Sequence, residues 1–467
     1  MTENTKKTET LKAIFNARKL AVVGVSSNPL KDGYTTLETI VNGGFDGRLY
    51  PVNPRGGEIC GVKVYTDLDE IQDTLDAVVI IVRADIVPKI MAQAAKKGAK
   101  GAIILSGGFR ESGREDLEDE ILAVAEKFNI KIMGPNIQGI NYLANKMCAM
   151  MFPVIKMQGP LCIISQSGTV TAGLCEWAEA DQFGISAAIN LGNKTELCES
   201  DYIDYFCEDE NTGTIAVYIE NIKDGQKFLK SIEGAVPKKP VAVLRSGRSK
   251  AGIRAAVSHT GALAGDYAVF ESACRQYGAF PTDNLTQLYD AAMGMGSLKP
   301  PKGRRVFIIS SSGGVCTLST DEAESNGLTV PLLPEKLTTE LKNLDLFSPL
   351  ANLSNPMDLV ETIGEHFLAA ARLVDQHNAA DIILLAFGDP VPESINLIKT
   401  LNKELTASLA VSYIGGGTQE QETRLTLQRE GIPVFASPER ALSGIAASVY
   451  RAEYLRSRGL DQGENVK

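Results

Sequence analysis

Apolar Val/Ile-rich runs alternate with amphipathic segments almost from end to end of the chain, which predicts an α/β protein built from doubly wound parallel sheets. The runs are continuous rather than alternating, as in Ala77-Val78-Val79-Ile80-Ile81-Val82, so their strands are expected to be covered on both faces. The intervening segments carry helical spacing: Ile86 to Lys97 places apolar residues at 86, 87, 90, 91, 94 and 95. At 467 residues the chain exceeds a single core and suits three domains of about 150 residues.

The first unit opens with Leu20 to Val25 and continues through Leu49 to Val52, Ala77 to Val82, Gly101 to Leu105 and Lys131 to Met133 as strands. Gly159-Pro160 then punctuates the chain. A second unit follows with strands at Leu161 to Ile164, Ser186 to Ile189, Thr214 to Ile219 and Val241 to Leu244. Lys299 to Arg305, rich in Pro and charge, reads as a solvated linker. The third unit has strands at Val306 to Ile309, Asp381 to Leu385 and Leu409 to Tyr413, and closes in a helix around Glu439 to Tyr454. The polar tail Gln462 to Lys467 is expected to fray. The expected domains are 1–150, 155–298 and 304–455: a Rossmann-like N-terminal domain followed by two flavodoxin-like doubly wound domains.

Composition narrows the function. A net charge of −10 argues against nucleic acid as the main partner. The aromatic content is only 6%, which does not suit an aromatic sugar or base groove. Eight Cys without a CxxC pair form neither a zinc pattern nor a disulfide framework, so a reducing cytoplasm is expected and no metal site. The N-terminus lacks a secretory apolar stretch, and no window approaches a membrane span.

Three places could carry chemistry. The turn Gly24-Val25-Ser26-Ser27-Asn28-Pro29 joins strand to helix with small residues whose N–H groups suit an anion, Lys31 adding charge nearby. It is not GxGxxG. After the second strand stands Asn53-Pro54-Arg55, a cation in place of the acidic ribose clamp of a dinucleotide site. A multiply phosphorylated ligand fits that swap; the alternative is an ordinary tight turn. Ser106-Gly107-Gly108-Phe109 and Gly134-Pro135-Asn136 lie at later strand ends of the same sheet edge. The second place is Ser165-Gln166-Ser167-Gly168, where hydroxyl residues precede a helix and create an anion site or a plain N-cap. The third is Ser258-His259-Thr260-Gly261, downstream of the cationic Arg245-Ser246-Gly247-Arg248-Ser249-Lys250 loop. A lone His is usually structural, and His366 and His377 are left so. His259, among small residues that admit a phosphoryl donor, is the candidate nucleophile.

Taken in order, these residues resemble the NDP-forming acyl-CoA synthetases. The resemblance runs from Ala21-Val22-Val23-Gly24 through Pro51-Val52-Asn53-Pro54, Gly134-Pro135-Asn136, Ser165-Gln166-Ser167-Gly168 and Leu191-Gly192-Asn193-Lys194. It continues through Ser258-His259-Thr260-Gly261 and Asn355-Pro356-Met357-Asp358 to Ser437-Pro438-Glu439-Arg440-Ala441. It implies CoA as substrate at Gly24, Ser26, Ser27, Asn53, Arg55, Ser106 and Gly107, with Asn136 and Asn193 facing the reacting substrate. It further implies a phosphohistidine at His259, supported by Glu220 on the other imidazole nitrogen. Its phosphate would be held by Ser165, Gln166, Ser167 and Gly168. Acyl-CoA and phosphate would give an acyl phosphate, which phosphorylates His259, and ADP would then take the phosphoryl group.

This sequence departs from the pattern at two points. Ile137-Gln138 stands where the familiar form has Cys after the Asn, and Lys146 to Phe152 is rich in Met. Both are candidates for the border of the acyl pocket, so an acetate preference is not carried over. The chain has no ATP-grasp pattern and no Walker A loop. ATP or ADP with Mg is therefore expected on a separate ATP-grasp beta subunit, most simply in an α2β2 complex acting on a small carboxylic acid. The competing readings are a non-catalytic CoA-binding regulatory module and a Rossmann dehydrogenase.

Overall fold

The computed structural model describes residues 3–153, 155–260, 266–415 and 417–460, the side chains of 3–7 and 256–260 excepted. The polar tail expected to fray lies outside the described residues. The chain divides into two compact units, the first made essentially of residues up to 277 and the second of 278 onward with two short inserts, 181–183 and 240–242.

Within the first unit, the opening sheet has the order Arg48–Val52, Lys19–Val23, Ala77–Ile80, Gly101–Ile104, Lys131–Met133. Every pairing is parallel, and the central strands are buried throughout, as their unbroken apolar runs require. The direction of winding reverses between Lys19–Val23 and Ala77–Ile80, so the switch-point crevice of this sheet opens at Gly24 and Ile81. A Cβ on Gly24 would lie 2.0 Å from the Ile81 carbonyl oxygen, and its φ of +100° is one that L side chains rarely adopt.

The second sheet repeats the winding with Val241–Arg245, Thr214–Ile219, Gln158–Ser165 and Ile185–Asn190 in that order. Its switch point lies between Gln158–Ser165 and Thr214–Ile219. Beyond Ile185–Asn190 come two strands that the residue pattern did not suggest, Gly139–Tyr142 and Met147–Met150, paired antiparallel. They fall inside the span expected for the first domain, yet they complete the second sheet. The Met-rich segment thus contains a fully buried strand, Met147–Met150, under helix Asp32–Asn42, with Thr39 Oγ1 donating to the Met150 carbonyl at 2.9 Å.

In the second unit the sheet order is Met357–Asp358, Val306–Ser310, Ile382–Phe387, Ser408–Tyr413, Val434–Phe435, again parallel and wound the same way. Helix Leu285–Ser297 packs against the closing helix Pro438–Ser457. A Cβ on Gly294 would sit 2.3 Å from the Gly444 carbonyl oxygen, so two Gly let the helices touch, and Arg440 clasps the buried Asp290 carboxylate at 2.6–3.1 Å. Residues 278–298 include strand Phe280–Thr282, at the outer end of the second sheet, and helix Leu285–Ser297. The segment read as a solvated linker is pinned: Lys299 donates to the carbonyls of Asn402 and Leu405, and Arg305 forks onto Asp381. Lys299, Lys302 and Arg304 are nonetheless exposed, so the segment's charges face solvent as expected.

Candidate functional site

The switch point of the second sheet gathers the residues expected to hold phosphate. Strand Gln158–Ser165 turns through Gln166 and Ser167 into helix Gly168–Ala180, whose N-terminal N–H groups and positive dipole end are of the kind that suits an anion. Ser165 is fully buried, and its hydroxyl donates to the Ser167 carbonyl while accepting from the Ser167 N–H. Ser167 Oγ accepts from the Val170 N–H at 3.4 Å. Gln166 is turned sideways, its Oε1 accepting from the backbone N–H groups of Glu220 and Asn221 at 3.0 and 3.3 Å. The four expected residues thus divide in role: Ser165 and Gln166 shape the turn, while Ser167 and Gly168 form its mouth. Glu220 follows strand Thr214–Ile219, and the Gln166 clamp fixes it beside that mouth.

His259 lies in the last turn of helix Lys250–Thr260, and its side chain is outside the described residues, as are residues 261–265. The cationic loop before this helix is anchored by Arg245, which is buried with its guanidinium 5.4 Å from the Phe270 ring centroid. Burial holds that guanidinium below the usual arginine range.

Two turns named by the sequence meet beside this site. The Asn193 N–H donates to the Pro135 carbonyl and the Thr195 N–H to the Gly134 carbonyl, both at 3.0 Å. Gly192, with φ +53°, lets them close: a Cβ there would lie 2.3 Å from the Asn136 carbonyl oxygen. Asn136 Nδ2 donates to Asn193 Oδ1 at 3.3 Å. Gln138, one of the departures from the family pattern, lays its carboxamide on the first residue of helix Gly168–Ala180, its Cδ 2.5 Å from where a Gly168 Cβ would be. Ile137 is buried beneath.

The residues expected to bind CoA lie at the strand ends of the first sheet, several of them held by local bonds. Asn53 Nδ2 donates to the Val25 carbonyl at 2.6 Å, and its Oδ1 accepts from the Arg55 N–H at 2.9 Å. Ser26 Oγ accepts from the Asn28 N–H at 3.0 Å. Ser27 and Arg55 are exposed. Ser106 is buried, accepting from Val82 N–H and donating to the Ile80 carbonyl, so it braces the sheet edge while Gly107 stands exposed beyond it.

Residue reasoning missed three members. Lys194 and Glu199 form a fully buried ion pair at 2.8 Å, and Lys194 Nζ also donates to the Asn221 carbonyl at 2.6 Å. Glu111 accepts from Asn193 Nδ2 at 2.6 Å. The fragment Leu191-Gly192-Asn193-Lys194 pointed to the right turn; nothing local marked Lys194 for burial or Glu111 as its neighbour's partner. Among the described residues no group of three or more His, Cys, Asp or Glu could hold a metal ion, and no helix is long and apolar enough to cross a membrane.

Comparison with known proteins agrees with this geometry. Residues 18–142 match the CoA binding domain family, and residues 158–295 match the succinyl-CoA ligase like flavodoxin domain family. The chain belongs to the family of NDP-forming acyl-CoA synthetases. Within that family it is similar to the acetate–CoA ligase [ADP-forming] I subunit alpha of Pyrococcus furiosus, at 34% identity over 94% of this chain and 96% of the relative. The 4-hydroxybutyrate–CoA ligase [ADP-forming] of Nitrosopumilus maritimus is 29% identical over 95% of this chain, which spans 64% of that relative. A solved Candidatus Korarchaeum cryptofilum dinucleotide forming acetyl-coenzyme A synthetase 1, in complex with phosphate and ADP, matches with a TM-score of 0.87. The identity to it is 30%, covering 98% of this chain and 99% of that one.

Proposed function

We propose that the chain is the alpha subunit of an ADP-forming acyl-CoA synthetase, working in the cytoplasm with a separate ATP-grasp beta subunit that holds ADP or ATP and Mg. The α2β2 form is the simplest assembly. In the proposed division of labour residues 1–150 bind CoA, residues 155–298 carry the phosphohistidine, and residues 304–455 form the further flavodoxin-like domain. Acyl-CoA and phosphate exchange at the acyl carbon, giving an acyl phosphate and free CoA. The His259 imidazole then attacks phosphorus, the carboxylate leaves, and the beta subunit's ADP takes the phosphoryl group. The reverse direction makes acyl-CoA from acid, CoA and ATP. Ser167, Gly168 and the helix behind them are proposed to hold the phosphate, and Glu220 to support the imidazolium charge.

The observation that carries this reading is the joining of a phosphate-type helix start to Glu220 by the Gln166 side chain, at the switch point of one sheet. The closeness of Gln138 to that helix start supports an acyl pocket that differs from an acetate pocket. The test is acyl-CoA-dependent ATP formation by the chain and its beta subunit across a panel of acids. Glu220→Gln should lower kcat by about 10² or more while CoA still binds, since it removes charge support developed during reaction. Tight CoA binding with no acyl-dependent exchange on any acid would instead mark a regulatory CoA sensor.

A further inference from the structure

Asn193 sits between two carboxylates. Its Nδ2 donates to Glu111 Oε2 at 2.6 Å and to Glu118 Oε2 at 3.4 Å. Glu118 is itself buried and paired with Arg110 at 3.4 Å. An ionised carboxylate can only accept, so Asn193 must turn its NH2 toward these two groups and its oxygen away. That oxygen accepts from Asn136 Nδ2, which in turn leaves the Asn136 oxygen pointing away from Asn193. The Asn136 oxygen lies over exposed Gly107, 3.2 Å from where a Cβ on that residue would be. Glu111 Oε1 lies 3.3 Å from the same point, so the carboxylate and the amide oxygen flank one opening at the strand ends.

We propose that Glu111 is a positioning residue that sets the polarity of an Asn193–Asn136 relay, so that Asn136 presents an acceptor oxygen to the N–H or S–H donors of the CoA pantetheine arm. This rests on the reading of Asn136 as a substrate-facing residue and deepens it by assigning which atom faces the ligand. Burial pushes the Glu111 carboxyl up, but the donors Asn193 Nδ2, Gly108 N–H and Phe109 N–H outweigh it and hold the group below its usual range. It therefore stays an obligate acceptor at neutral pH and is a poor base, which fits orientation rather than proton transfer.

The test is CoA titration calorimetry on the full-length chain. Glu111→Gln keeps an oxygen for the Gly108 and Phe109 N–H groups but turns a donor toward Asn193, freeing the relay to flip. It should bind CoA about tenfold more weakly than wild type, with an unchanged melting temperature. Asn193→Ala should weaken binding by a similar factor, and adding Glu111→Gln to it should change affinity by less than about twofold, because the carboxylate acts through Asn193. If the two losses multiply instead, or if Asn136→Ala weakens CoA while Glu111→Gln does not, the relay is wrong. If Asn136→Ala binds CoA as wild type, the substrate-facing reading of Asn136 fails, and the relay with it.

Discussion

Lys194 carries an amine that is 1% exposed, with φ +43°, and among the described residues Glu199 and the Asn221 carbonyl replace water around it. Desolvating both charges is expensive, and the pair is tolerable because each partner satisfies the other. Lys194→Met strands the Glu199 carboxylate and should cost about 3–5 kcal/mol of unfolding free energy, read from urea midpoints. A loss under about 1 kcal/mol would mean that water reaches the site. Asp73 offers a surface contrast. Bonds from Tyr50 and Arg48, with Lys19 nearby, hold its carboxyl down at about 2. Its unfolded counterpart titrates near 3.9, so its stabilisation is present above that value and is lost as pH falls from about 4 toward 2. The urea midpoint of Asp73→Asn should therefore fall below wild type at pH 6 and converge with it as pH approaches 2. Residues of these two kinds were invisible in sequence. The partners of Asn193 and Asn136 lie 82 and 57 positions away, and no periodicity links such pairs. His259 and Glu220, by contrast, stand out locally as candidates: small and hydroxyl residues surround one, and a strand end precedes the other, which the resemblance then singles out.

At the scale of elements, the long central strands could be read from their apolar runs, while the two-residue edge strands Met357–Asp358 and Val434–Phe435 were not. Thr214–Ile219 is where it was expected and Ile185–Asn190 within one residue, because strands covered on both faces need continuous apolar runs. Gly139–Tyr142 and Met147–Met150 were missed. They are four residues each, one contains Asn141, and Met is a weak strand signal. Yet they decide how the first unit is built, since they cover the edge of Ile185–Asn190. A chain lacking residues 1–154 exposes that edge and should self-associate by size-exclusion chromatography, whereas one lacking only residues 1–136 should do so less. Equal behaviour would show the hairpin to be dispensable. The Gly134 and Gly192 turns make a second joint. Gly192→Ala puts a Cβ 2.3–2.4 Å from two carbonyl oxygens at a left-handed φ. It should cost about 1–3 kcal/mol and weaken CoA binding, both read from ligand-dependent shifts in melting temperature.

Over the whole molecule, three sheets share one winding, and each meets its helices at a switch point where small or hydroxyl residues leave backbone groups open. The first crevice has Gly24, Asn53 and Arg55, and the second has Ser167, Gly168 and Glu220. They belong to one compact unit, and the Asn136–Asn193 contact joins the sequences that follow their strands. This explains why an ordered set of fragments carried the family while single fragments did not: each is a generic strand-end turn, and only their succession encodes the shared architecture. The packing of Gly294 on Gly444 joins helices about 150 residues apart, a contact that no local pattern marks. Burial pushes Cys148, Cys274 and Cys316 up to about 12, which suits core residues and not nucleophiles.

The central claim is that phosphate passes through His259. The chain and its beta subunit, given ATP labelled in the γ-phosphate, should acquire label on the alpha chain that is labile to acid and stable to base. The His259→Asn chain should take none while still binding CoA with wild-type affinity. Full turnover by the His259→Asn protein, or a label that survives acid, would contradict the account.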